Sequence, residues 1–287
     1  SIGYKLTDMS NLRLGYNMRI YRPGIWALNP YLNDADPSYI SRGNPELDSE
    51  KSHAFNLSYS NFIQKFNVNI SARYSFTNNS IENVTRLMPD TEIEGLKNPT
   101  GKDVLYSTYA NIGKTRYASV NGYVNWNATS RTRIYMNMSG NYSYLEGGEG
   151  MRNDGWSLFA YGGAQHTLPH DWRISMNVFG QTPWIMLQGK GSSFFDYGVS
   201  VNKSFLNKRL TLSAFASNFF KKYMNQSSTT EGSGFVRESN YKYSRQRFGV
   251  SVSYRIGELK ASVKKAARTI SNDDVKSGGG DSVGGGE

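Results

Sequence analysis

The sequence predicts an all-β fold: a transmembrane, antiparallel, up-and-down β-barrel region of about ten strands. Three observations carry this reading. Apolar and polar residues alternate with a period of two in many separate stretches, which is the pattern of strands with one apolar and one polar face. Short polar turns alternate along the chain with long segments, as in barrels whose turns face the periplasm and whose loops face outside. Aromatic residues such as Tyr74, Phe76, Trp126, Tyr142 and Tyr144 fall near strand ends while Val, Ile, Leu, Met and small residues fill the middles, so interfacial girdles flank an apolar band.

Taken in order, the first strand sets Leu12, Leu14, Tyr16, Met18 and Ile20 against Arg13, Gly15, Asn17, Arg19 and Tyr21. Phe55, Leu57 and Tyr59 repeat the alternation, and Phe66, Val68, Ile70, Ala72, Tyr74 and Phe76 extend it against Asn67, Asn69, Ser71, Arg73 and Ser75. Further strands are predicted at 118–126, 134–144, 174–178, 197–201, 210–216 and 248–254. The strand after Trp156 has two readings, because Phe159 and Tyr161 compete with Leu158 and Ala160 for the apolar face. Turns are predicted at 7–10, 61–65, 128–132, 169–172 and 206–209, and long loops at 23–52, 77–109, 146–155, 182–192 and 221–243. A soluble sandwich satisfies any one of these strands. Strands this long in hairpin after hairpin favour the barrel.

Composition narrows the class. With 33 Lys+Arg against 23 Asp+Glu the formal net charge is +10, and Cys is absent. That excludes a disulfide framework, a thiolate metal site and a cysteine nucleophile. No run approaches the roughly 18 to 20 apolar residues of a membrane-spanning helix. The 20 Tyr, 14 Phe and 29 Gly beside 8 Pro favour strands and turns. Ser1-Ile2-Gly3-Tyr4 does not read as a signal peptide, so a mature, trimmed or partial chain is expected. No linker interrupts residues 1–256, which read as one barrel domain. Residues 257–287 read as a basic segment, with Leu259, Val263 and Ala266 at helical spacing, followed by a Gly-rich disordered tail in the periplasm.

Chemical motifs are sparse. His166 and His170 lie four apart beside Asp171, but Pro169 intervenes and the segment reads as a strand end and turn, so metal binding is not expected. No nucleophile, base and orienting group can be assembled, so no catalytic residue and no cofactor are expected. Arg13, Arg19, Arg73, Arg116, Arg173, Arg247 and Arg255 fall on polar parities or near strand ends. They make a cationic lumen, pair with interior carboxylates, or lie at the level of the lipid phosphates outside any transport path. Scattered over strands, they do not form the stripe that nucleic acid requires.

Three stretches, Arg19-Ile20-Tyr21-Arg22-Pro23, Leu28-Asn29-Pro30-Tyr31 and Gly43-Asn44-Pro45-Glu46-Leu47-Asp48-Ser49-Glu50, together resemble the barrel of TonB-dependent outer-membrane receptors of Gram-negative bacteria. The branch they are most similar to is the outer-membrane β-barrel family. Tyr109-Ala110-Asn111-Ile112-Gly113-Lys114 is similar to a second marker of that family, at the start of a later strand. The resemblance spans residues 10–257 and marks Arg22, Pro23, Asn29, Pro30, Gly43, Asn44, Pro45, Glu50, Asn111 and Gly113 as structural motif positions.

It implies that this is the C-terminal part of a barrel of about 22 strands with an internal plug. It further implies uptake of an extracellular nutrient, extracellular loops, and a set of partners: outer-membrane lipid, the plug and preceding strands, the TonB complex and a surface lipoprotein lid. Under that reading the loop aromatics Trp26, Tyr31, Tyr39, Trp156, Trp184 and Phe235 are candidates for cargo contact. A non-transporting structural or adhesin-like barrel, and a barrel hydrolase, stay open as alternatives.

Overall fold

A computed structural model describes residues 1–257 and 275–276. The chain begins with β1 (Ile2–Thr7) and β2 (Ser10–Pro23), then a helical turn α1 (Ile25–Leu28) and two short loop strands, β3 (Asn33–Asp36) and β4 (Tyr39–Ser41). The long strands β5 (Glu50–Ile63), β6 (Phe66–Pro89), β7 (Asp103–Trp126), β8 (Thr132–Glu146), β9 (Arg152–Leu168) and β10 (Trp172–Gln181) follow. Two short loop strands, β11 (Ile185–Met186) and β12 (Gly189–Lys190), precede β13 (Phe194–Phe205) and β14 (Leu210–Ser217). A hairpin, β15 (Tyr223–Gly232) with β16 (Phe235–Ser244), leads into β17 (Arg247–Tyr254).

Among the described residues the wall runs β1-β2-β5-β6-β7-β8-β9-β10-β13-β14-β17, eleven strands in sequence order, each antiparallel to its neighbours. The ten predicted strands are all present. The eleventh, β1, is too short to declare itself by periodicity, yet its register places Ile2 against Leu14 and Tyr4 against Leu12 and so extends the apolar face.

Register turns the one-dimensional alternation into two faces. Leu14, Leu57, Ala72, Val120, Gly140 and Leu158 stand side by side across six strands. The next row on the other face is Gly15, Asn56, Arg73, Ser119, Asn141 and Ser157. On the apolar face, large side chains lie open: Leu14 is 54% exposed, Val120 57% and Met176 54%. Each aliphatic side chain left in water forfeits roughly 1.5 to 3 kcal/mol, so rows of them require an apolar surround. Lipid supplies it. The buried apolar clusters lie instead in the loops, around Ala27, Leu47 and Ile81 and around Ile40, Ile93 and Val104.

The structure corrects the extent of three loops. β6 and β7 stay paired up to Pro89 and Asp103, so most of 77–109 is a tall hairpin. The wall's parity fails to predict it because side chains above the apolar band no longer alternate for lipid. A register shift at Asn78/Ser80, with Asn79 at φ 66°, marks the boundary, as bulges do where a sheet bends. Most of 221–243 is likewise the β15–β16 hairpin. In β9, which begins at Arg152, Leu158 and Ala160 take the apolar face with Met138, while Phe159 turns the other way to meet Phe179 at 5.1 Å. Trp156 therefore belongs to a strand and not to a loop.

Of the tail, Val275 and Lys276 pair in parallel with Arg22 and Pro23 at the loop end of β2. That differs, for these two residues, from a tail confined to the turn end. The predicted helical segment and the Gly-rich stretch otherwise lie outside the described residues.

Candidate functional site

The loops assemble into a crown above one end of the wall, and the motif residues sit at its root. Gly24 starts α1 by accepting the Ala27 and Leu28 N–H groups at 3.0 and 3.2 Å. Residues 43 and 44 then pin that turn, Gly43 N–H donating to Asn29 O at 2.9 Å and Asn44 N–H to Ala27 O at 2.6 Å. A Cβ on Gly43 would lie 2.5 Å from Asn29 O and 2.7 Å from Ala27 O, so only glycine permits this approach of backbone to backbone. Asn29 accepts the Tyr31 N–H across Pro30 at 3.1 Å, and Asn44 accepts the Glu46 N–H across Pro45 at 2.9 Å. Each is an Asx turn that stiffens a proline corner.

The same segment is then tied to the tall hairpin. Asn44 donates to Tyr109 O at 3.0 Å. Asn111 acts as a piece of strand, accepting the Asp48 N–H at 2.8 Å and donating to Asp48 O at 3.0 Å and Asn79 O at 3.3 Å. Glu50 is buried, with its carboxylate accepting the Ile81 N–H. Gly113 faces Ser80 across the bulge, where a Cβ would collide with the Ser80 hydroxyl. Arg22 and Pro23 end β2 just before α1.

Two further attachments complete the crown. β4 joins the free edge of β7 in parallel at Leu105–Ser107. From the opposite side, Gln188 reaches the free edge of β6, where its amide accepts the Thr85 N–H and donates to Thr85 O, both at 2.8 Å. Glu231 N–H donates to Gln188 O at 2.7 Å, and the Arg237 guanidinium lies 3.8 Å from the centre of the Tyr39 ring. Loops from four parts of the chain thus form one body.

Asp90 closes the hairpin tip. Buried, it accepts the Thr100 N–H at 2.6 Å, the Thr100 hydroxyl at 2.8 Å and the Gly101 N–H at 2.8 Å. These hydrogen bonds to the ionised form, led by the Thr100 N–H, hold its pKa below the ordinary 3.8. A lowered folded pKa means the stabilisation is complete above 3.8 and is lost as pH falls through the folded value. Protection of the Thr100 and Gly101 amides, corrected for intrinsic exchange rates, is therefore expected to stay constant from neutral pH to about 5 and to be lost only below 3.8. Asp90→Asn should show the acid level of protection at every pH. Protection already lost at or above pH 3.8 would contradict this.

Of the candidate aromatics, Trp26 and Tyr31 stand open at 73% and 70% exposure. Tyr39 is engaged by Arg237, Trp184 packs on Gly191, and Phe235 packs on Gly232 at its own turn. Trp156 lies on the apolar face against Tyr142 at 5.4 Å, so it faces the bilayer and not the crown. The crown does not bring these six together. Arg116 also lies on the apolar parity, stacked over Phe76 at 5.4 Å near the rim. Gln188, which couples its loop to the tall hairpin, and Asp90, which closes the hairpin's tip, carry no sequence signal, since a single amide or carboxylate in a polar loop matches no motif. His166 bonds Thr132 at 2.8 Å and His170 occupies a left-handed turn position at φ 60°. Among the described residues no group of three or more metal-ligating side chains converges.

A wall whose outward rows need lipid, turning tightly at one end and carrying a locked crown at the other, defines a membrane-spanning β-barrel protein. Residues 1–254 match the outer membrane protein beta-barrel family. The chain belongs to that family and to the outer membrane. No curated protein matches the chain. Among solved structures it is similar to the siderophore receptor PirA from Pseudomonas aeruginosa, at 16% identity and a TM-score of 0.55, over 77% of this chain and 38% of that one. It is also similar to the copper transporter OprC, at 14% identity and a TM-score of 0.59, over 88% and 39%. A variant of the ferric enterobactin receptor PfeA from Pseudomonas aeruginosa follows at 16% and 0.57, over 88% and 39%. At these identities the likeness is one of fold, and the chain spans about two-fifths of those structures.

Proposed function

We propose that this chain is the C-terminal part of the wall and crown of a TonB-dependent transporter that takes up an extracellular nutrient. The observation that carries the reading is the crown: loops far apart in sequence are locked together over a wall whose inner face is polar. That arrangement suits a vestibule above a plugged lumen, as in barrels of this size class. Similarity of fold to a siderophore receptor and a copper transporter supports an uptake role. Under this reading the polar rows face the lumen and an N-terminal plug, the crown faces outside, and the short turns face the periplasm. TonB acts on the plug from that side, and a surface lipoprotein covers the open loops around Trp26 and Tyr31.

Two measurements on the intact protein test this. Its mass is expected to exceed 32.2 kDa, with plug peptides preceding Ser1. A protein of 32.2 kDa in the outer membrane would end the transporter reading. Cysteines replacing Asn61 and Lys208, in or beside short turns, should resist impermeant thiol reagents in whole cells, whereas one replacing exposed Lys97 in the crown should react. The reverse pattern would invert the orientation.

A further inference from the structure

Where the wall meets the crown, its outward face carries a crevice of about 600 Å³. Its floor lies on the face opposite the polar rows, and its lining also takes in Gln181 and Phe194 at the rim. The floor is formed by Leu158 and Ala160 of β9 and Phe195 of β13, outward residues on the two strands that flank β10, and Leu158 and Phe195 are 55% and 58% exposed. Its loop-side wall is the base of β15, including Tyr223 and Met224. At the same height Tyr197 packs with Phe219 at 5.1 Å and Phe220 at 5.8 Å. Its hydroxyl accepts the Phe220 N–H at 2.7 Å. Phe220 is 86% exposed. An outward aromatic cluster of this kind marks the boundary between hydrocarbon and headgroups.

Cations gather immediately above that boundary. Lys221 lines the crevice, Lys222 follows it, and the Tyr223 ring lies 5.3 Å from the Lys222 ammonium and 4.9 Å from that of Lys242. Arg245, also in the lining, is paired with Asp196. The three lysines have no carboxylate partner among the described residues. An occupant must therefore be apolar along the floor and anionic at the top. A free anion would leave the floor bare, and a neutral lipid would leave the lysines unmatched.

We propose that this crevice seats one phosphate-bearing lipid of the leaflet surrounding the loop end, its acyl chain along Leu158, Ala160 and Phe195 and its phosphate between Lys221 and Lys222. Attraction of two lysines to an anionic headgroup is worth roughly tenfold to thirtyfold in occupancy.

The test uses the full-length protein extracted from its own membrane in mild detergent, washed, and weighed by native mass spectrometry. Wild type is expected to retain a phosphorylated lipid, and the double variant Lys221→Gln, Lys222→Gln to retain at least about tenfold less. A charge-matched control, Lys97→Gln with Lys102→Gln, should retain the wild-type amount. Ala160→Trp, which fills the floor and leaves every lysine in place, should also lose the lipid. Equal retention by the double lysine variant would overturn the proposal. So would full displacement by inorganic phosphate, which would make this an anion site, or undiminished retention by Ala160→Trp. Each comparison is between variants of one protein and needs no cargo, so it stands or falls apart from the transport reading.

Discussion

Replacing Gly43 with alanine is expected to release residues 24–49 from the root of the tall hairpin. The new methyl would sit 2.5 and 2.7 Å from two backbone oxygens, and those oxygens are themselves the acceptors of the Gly43 and Asn44 N–H groups. Backbone atoms cannot rotate away as a side chain can. Relief of the clash therefore breaks the hydrogen bonds that define the turn. Overpacking of this kind typically costs about 1 to 3 kcal/mol, and each lost hydrogen bond adds about 1 kcal/mol. The Ala27, Leu47 and Ile81 cluster would open with it. Limited proteolysis of the protein in mild detergent should then cut within 24–49 while the barrel keeps its heat-modifiable mobility. Wild-type resistance would show that the approach can relax.

A comparable effect is expected from Gln188→Leu, which leaves the volume nearly unchanged and removes both hydrogen bonds to Thr85. The Thr85 N–H and C=O then stay unpaired in a buried setting, at about 1 to 3 kcal/mol for each group. The crown should divide, with residues 182–193 and the β15–β16 hairpin leaving the β6 edge. Exchange of the Thr85 amide is expected to rise roughly a hundredfold. Gln188→Glu, which keeps the acceptor and loses the donor, should fall between. An unchanged exchange rate would mean that the Thr85 edge is held by other contacts.

These two sites show where sequence reading succeeds and where it stops. Lipid imposes a two-residue period on every wall strand, so Leu14, Leu57, Val120 and Met176 announce their face directly, and the tight turns between them follow. Above the bilayer nothing imposes a period. The upper halves of β6 and β7 read as loop for that reason, and Trp156 reads as part of the loop that precedes its strand. Gly43 and Asn111 stand out as parts of a motif, yet their reasons, a backbone approach and an amide that imitates a strand, appear only in three dimensions. Gln188 and Thr85 are separated by 103 residues, and no local pattern links them.

The tall hairpin also bears on how this protein lives among neighbours. Two long strands raised above a crowded bilayer would offer unpaired ladders on both sides, and such edges recruit strands from other molecules. Here β4 occupies one edge and Gln188 with its loop occupies the other. With both edges covered, neighbouring copies in a crowded membrane have no open ladder to join, and a variant with one edge uncovered would be expected to self-associate before it unfolds.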